Sequence, residues 1–219
     1  MGLAPSPAIV ANGRLITFEG GEGSGKSTQL SLLAKALARE PVVTREPGGT
    51  PLAEKLRATL LSGAIAPLGS DAEAIAFAAA RADHVDRVIA PALERGEIVL
   101  CDRYVDSSRA YQRNVGQLMN PLQRLAVGAA RPDLTLIYDL PPEEGIARVR
   151  ARDGVLDRFE ASALDELRER RAVFLEIARF EPERCAVIDA SGSIDEVHGR
   201  TLHAVRDRMP STLKADHDR

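Results

Sequence analysis

The chain has 219 residues, 44% hydrophobic and 28% charged, with two cysteines and a net charge of −3. That length suits one domain, and its core is large enough to need neither disulfides nor a structural metal. The weak negative charge gives no footprint for nucleic acid, and no apolar run reaches the roughly 18 residues of a membrane span.

The first stretch, Met1–Gly13, lacks a charged leader ahead of an apolar block and is expected to be a flexible extension without a secretion signal. Leu15–Glu19 then has the length and composition of a buried strand. It runs into Gly20-Gly21-Glu22-Gly23-Ser24-Gly25-Lys26-Ser27, which matches G-x-x-x-x-G-K-[ST], and Lys26–Ala38 opens with helical period. Glycines at these positions let backbone N–H groups turn toward a phosphate, and a helix N-terminus adds favourable potential. Lys26 would reach β- and γ-phosphates, and the Ser27 hydroxyl would ligate Mg²⁺. The segment Gly20, Gly21, Glu22, Gly23, Ser24, Gly25, Lys26, Ser27 and Thr28 is therefore the expected nucleoside-triphosphate site.

Further strands are expected near Val42–Arg45, Ile98–Cys101, Leu134–Tyr138 and Ala186–Ile188. Helices are expected near Pro51–Leu61, Asp71–Leu93, Ser107–Val115, Pro121–Ala129, Pro142–Arg150, Ala163–Phe180 and Ile194–Arg208. Strands alternating with helices predict an α/β fold of three layers, a five-stranded parallel sheet flanked by helices on both faces. The single domain should span 14–208, and the polar tail 209–219 should fray. Cys101 and Cys185 each sit in an apolar run, which reads as two reduced core thiols in a reducing cytoplasm.

Asp102 ends the Ile98–Cys101 strand, the arrangement that supports Mg²⁺ beside a phosphate loop. A regulatory GTPase would need N-K-x-D, yet none of Asn12, Asn114 or Asn120 is followed by lysine. Its D-x-x-G element is also misplaced, occurring only at Asp189–Gly192 after the last strand. A kinase explains more residues. Transfer between two polyanions needs clustered arginines, and Arg45 and Arg103 stand at strand ends where such folds bind ligands. Phe77 and Arg81 are four apart on one helix face, where a ring and a guanidinium could hold a base. Phe77 reads equally well as a core position.

Three blocks resemble the thymidylate kinase family: Phe18–Gln29, Thr44-Arg45-Glu46-Pro47-Gly48-Gly49-Thr50, and Asp102–Gln112. The resemblance extends from about Leu15 to about Arg206 and implies a P-loop kinase fold that transfers the γ-phosphoryl of ATP to dTMP. By resemblance, Phe77 stacks on thymine and Arg81 meets its edge, with Ser108 and Gln112 lining the pocket. Arg45 and Arg103 would bind the acceptor phosphate, and Arg103 would also share in catalysis with Lys26. Glu22 would meet the sugar 3′-hydroxyl, and Tyr111 would crowd the 2′ position. The family also implies a cis Glu46–Pro47 bond, a homodimer and Mg²⁺ held by Ser27 and, through water, Asp102.

The variable loop positions Gly21–Ser24 carry no arginine. The missing charge is then expected from Arg148–Glu160, a charged run around a glycine that resembles the short lid of the bacterial branch. Arg152 and Arg158, with Arg150 next, are the expected donors to the transferring phosphoryl. The loop after Asp189 is the candidate for holding adenine. A kinase for another monophosphate, such as dUMP, and a nucleotide-binding regulatory protein with weak turnover remain open.

Overall fold

The computed structural model describes residues 13–153 and 163–214. Its strands are β1 (Arg14–Gly20), β2 (Val42–Arg45), β3 (Ile98–Asp102), β4 (Leu134–Asp139) and β5 (Cys185–Asp189). They form one parallel sheet in the order β2-β3-β1-β4-β5, so the strand feeding the glycine loop sits at the centre. The helices are α1 (Lys26–Ala36), α2 (Pro51–Leu61), α3 (Ser70–His84), α4 (Ala90–Glu94), α5 (Val105–Tyr111), α6 (Met119–Val127), α7 (Pro142–Asp153), α8 (Leu164–Phe180) and α9 (Ile194–Arg208).

Strand alternation sorts the side chains onto two faces. Ile16, Phe18, Leu100, Leu134, Leu136 and Tyr138 face Leu30 and Leu33 of α1 and Val197 and Val205 of α9. On the other face, Leu15, Val99 and Cys101 pack with Val85, Ile89 and Ala92, whereas Ile137 and Cys185 pack with Phe174 and Ile177 of α8. Thr17 and Glu19 of β1 are fully buried on the face between these two clusters, and Thr17 hydrogen-bonds Thr135 at 2.8 Å. A polar seam thus runs down the middle of an otherwise apolar layer.

The segment expected as one helix over Asp71–Leu93 is helical without a break from Ser70 to Glu94, but its winding changes. A π-helical stretch, Val85–Ile89, separates α3 from α4, where Pro91 occupies the first turn. Proline has no N–H to give and its ring crowds the carbonyl four residues back, so the widened turn accommodates it. The helix expected at Ser107–Val115 begins earlier, at Val105, and ends at Tyr111. Its N-terminal amides are held by a carboxylate from β1, described below. The first part of the tail docks where fraying was expected: Leu213 bridges Leu37, and Ala38 N–H donates to the Thr212 carbonyl at 2.9 Å. Met209 and Leu213 supply the apolar contacts that the tail's polar composition hides.

Candidate active site

The glycine loop turns from β1 into α1 with Gly25 at the helix N-cap, left-handed at φ 85°. An L side chain rarely adopts that backbone, and Gly25 offers no side chain that could cover the first-turn amides. Lys26 is buried and folded back over the loop, donating to the Gly21 carbonyl at 2.6 Å and to Ser24 Oγ at 3.3 Å. Burial, then the nearby Arg103 cation, pulls its ammonium down to about 8, against the attraction of Glu22, Asp102 and Glu19. Ser27 Oγ donates to Asp102 Oδ2 at 2.5 Å, so hydroxyl and carboxylate converge beside the loop at the end of β3.

Arg103 follows β3 in the left-handed region at φ 65°. For a long side chain such a conformation costs about 1–3 kcal/mol, so the surroundings must hold it. They do so from several sides. Its amide donates to the Phe18 carbonyl at 2.9 Å, and Nη2 binds both Glu22 oxygens at 2.8 and 2.9 Å. Nη1 reaches the Gly20 carbonyl at 3.3 Å and Ser107 Oγ at 3.2 Å. Tyr111 donates its hydroxyl to Glu22 at 2.6 Å, with the Arg103 guanidinium 5.2 Å from its ring centre and that of Arg170 at 4.6 Å. Burial alone would raise the Glu22 carboxyl, but Arg103, Lys26 and the Tyr111 hydroxyl outweigh it and hold it at about 2.

A cleft of about 790 Å³ brings together Glu22, Arg45, Phe77, Arg81, Arg103, Ser108, Tyr111 and Gln112, every residue expected on the acceptor side. Phe77 is half-buried at its wall, and Gln112 is buried with Oε1 unpartnered. Arg45 is exposed and binds Glu54 at 3.2 Å. Arg81 is buried with four of its five N–H donors engaged: Glu46 at 2.6 Å, Gln123 at 2.6 Å, and the Tyr104 carbonyl and Ser108 hydroxyl at 3.0 Å each. Glu46 also bonds buried His84 at 3.0 Å, and His84 meets Thr44 at 2.7 Å. The Glu46–Pro47 peptide is cis.

A smaller cleft of about 350 Å³ lies between the loop, at Gly23 and Thr28, and Arg148, Gly192 and Ser193. The loop after Asp189 therefore borders the triphosphate segment. Arg148 donates to the Ala190 carbonyl at 3.1 Å and Arg150 is exposed on α7. Arg152 lies on the last turn of α7, and Arg158 falls outside the described residues.

Several contributors gave no signal in the sequence. Glu19 and Arg170 sit at positions whose periodicity reads as strand and helix, and His84 and Gln123 looked like ordinary helix residues. Gly145 meets the loop backbone only because α7 folds against it. No local pattern announces contacts made across 38 or more residues of chain.

The family described as Thymidylate kinase matches residues 18–200. The chain is 54% identical over 214 residues to a thymidylate kinase of Rhodopseudomonas palustris, covering 93% of each chain. It is 51% identical over 209 residues to one of Bradyrhizobium diazoefficiens, covering 91% of this chain and 92% of that one. The crystal structure of thymidylate kinase from Ehrlichia chaffeensis superposes with a TM-score of 0.69 at 32% identity, over 89% of this chain and 98% of the other.

Proposed function

This chain belongs to the thymidylate kinase family, and from that premise we propose how its two clefts transfer the γ-phosphoryl group of ATP to dTMP, giving dTDP and ADP. The observation that carries the assignment of parts is the Arg103–Glu22 pair, which joins the phosphate loop to a cleft of nucleotide size. ATP would lie with adenine in the smaller cleft beside Gly192 and its phosphates over Gly20–Thr28. Lys26 would leave its contact with the Gly21 carbonyl to neutralise the β- and γ-phosphates.

On the other side, dTMP would enter with thymine against Phe77. Arg81 and Ser108, already bonded to each other, would meet the base edge, and the unpartnered Gln112 oxygen would accept from a base N–H. Arg45 and Arg103 would hold the phosphate, Glu22 the 3′-hydroxyl, and the Tyr111 ring the space beneath the 2′ carbon. A dTMP phosphate oxygen then attacks the γ-phosphorus as the bond to the bridging oxygen of ADP breaks. Charge spreads over the equatorial oxygens, where Lys26, Arg103 and the lid arginines Arg150, Arg152 and Arg158 would stabilise it.

Ser27 and Asp102 fit a hard divalent cation, their oxygens being 2.5 Å apart beside the loop. Among the described residues there is no cluster of three or more His, Cys, Asp or Glu for a metal, so phosphate oxygens and water would complete the shell of Mg²⁺. When bound, Mg²⁺ supplies charge neutralisation at the phosphates.

A homodimer is supported by exposed Leu52, Ile75 and Leu125, which come from helices α2, α3 and α6 that pack in series. No helix among the described residues is long and apolar enough to cross a membrane, and buried, unbridged Cys101 and Cys185 suit a reducing cytoplasm. We assign the catalytic domain to residues 14–208.

The decisive experiment is ADP release, coupled to NADH oxidation, across dTMP, dUMP, dCMP, AMP and GMP with Mg²⁺ titrated. The expected result is dTMP turnover far above the rest and dependent on Mg²⁺. Turnover of dTMP no faster than of dCMP or AMP would defeat the specificity, and activity surviving Lys26→Ala would defeat the phosphate site.

A further inference from the structure

Glu19 is fully buried on the sheet face between two apolar clusters and does not border the cleft. Its Oε1 accepts the Tyr104 N–H at 2.8 Å and the Ser107 N–H at 3.2 Å, and its Oε2 accepts the Ser107 hydroxyl at 2.6 Å. Ser107 has a single hydroxyl proton. Because that proton is committed to Glu19, the oxygen presents lone pairs to Arg103 Nη1 at 3.2 Å. The remaining hold on the guanidinium is weaker or contested. Gly20 supplies one carbonyl at 3.3 Å, and Glu22 faces the cleft where a sugar hydroxyl would compete for it.

We propose that Glu19, acting through Ser107, is the positioning residue that keeps the Arg103 guanidinium aimed at the acceptor phosphate, given the assignment of Arg103 as its ligand. The result is a closed ring. From Glu19 it passes through Ser107, Arg103 and Glu22, then returns along the loop backbone. The start of the phosphate loop, from Glu19 to Glu22, is thereby referenced to one guanidinium. The arrangement uses the ionised carboxylate, which Glu19 becomes as pH rises through about 7, because an amide nitrogen or a carboxyl proton at that position would donate to Ser107 and turn the hydroxyl proton against Arg103. Preorganisation of this kind serves binding and transition-state charge alike.

Steady-state kinetics of Ser107→Ala, Ser107→Thr, Glu19→Gln and Arg103→Ala, with thermal melts of each, test this. Ser107→Ala leaves the backbone bonds to Glu19 in place, so it tests the bridge even if Glu19→Gln fails to fold. We expect Ser107→Ala to raise KM for dTMP about tenfold, the loss of one bond to a charged group, with KM for ATP within about twofold. Ser107→Thr restores the hydroxyl and should restore KM. In an Arg103→Ala background, Ser107→Ala should add nothing.

If Arg103→Ala raises KM for dTMP but Ser107→Ala does not, the positioning role is overturned while Arg103 stands. Equal rises in both KM values with a lowered melting temperature overturn it as well. An Arg103→Ala enzyme with unchanged dTMP kinetics removes the premise, and the proposal falls with it.

Discussion

Gly23 of the phosphate loop and Gly145 of α7 meet backbone to backbone: a β-carbon on Gly145 would stand 2.2 Å from the Glu22 carbonyl oxygen, and one on Gly23 would stand 2.2 Å from the Gly145 carbonyl oxygen. The helix that runs toward the expected lid is therefore seated directly on the loop that would hold ATP. Neither backbone can yield without moving the other. Gly145→Ala should raise KM for ATP and lower kcat/KM at least tenfold, since displacing loop amides by a fraction of an ångström degrades positioning. Unaltered ATP kinetics in a folded Gly145→Ala enzyme would show that the contact is dispensable.

Glu22 and Glu19 should shape stability in opposite directions. Burial pushes Glu22 up, but Arg103, Lys26 and Tyr111 prevail and lower it from 4.5 to about 2. Its contribution is full above pH 4.5 and is lost as pH falls toward 2. Burial, then Asp106, raises Glu19 from 4.5 to about 7, so its contribution is full below 4.5 and is lost as pH rises through 7. Denaturant melts at stepped pH should show Glu22→Gln flattening the acid limb and Glu19→Gln flattening the limb between 4.5 and 7. Parallel curves for wild type and both variants would contradict these assignments.

Lys26 should set the alkaline limb of catalysis. Burial and Arg103 bring its ammonium to about 8, and only the protonated form can neutralise a phosphate. In the free enzyme, kcat/KM for ATP should decline as pH rises through about 8. Lys26→Arg keeps its charge at high pH, so whatever activity it retains should lack that limb. A limb unchanged in the arginine variant would place the titration elsewhere.

Two guanidinium groups, those of Arg103 and Arg170, lie over the Tyr111 ring, and its hydroxyl donates to Glu22. Removing the ring by Tyr111→Ala should cut the preference for dTMP over its ribonucleotide counterpart by about tenfold, whereas Tyr111→Phe keeps the ring and most of the preference. Arg170→Met should weaken kcat/KM for dTMP by about threefold to tenfold through loss of the cation on the ring face. Competition assays with the two nucleotides measure this, and an unchanged ratio in the alanine variant would count against the sugar-sensing role.

The lid arginines should act on the chemical step. Arg152→Ala and Arg158→Ala are each expected to lower kcat by a factor on the order of 10²–10³ with KM for dTMP little altered, and Arg150→Ala by less. Rapid-quench measurement of the first turnover isolates that step. If neither Arg152→Ala nor Arg158→Ala slows it, transition-state charge is neutralised by other groups.

The sequence by itself determined the five strands, the glycine loop at the end of the first one, and eight of the residues that line the larger cleft. Those features are local: apolar runs of strand length, a motif of eight consecutive positions, and blocks such as Arg45–Thr50 that keep their members adjacent. Tertiary structure decided how the parts are held. Glu19 reads as one more strand residue until α5 brings Ser107 to it from 88 positions away. Arg81 reads as a free base reader until Glu46, Gln123, Ser108 and the Tyr104 carbonyl occupy all but one of its donors. Gly145 reads as a helix position until the loop lies against it. Burial turns each of these into an energetic requirement, because a polar group or a close backbone contact inside the fold must be matched by partners that only the packed chain supplies.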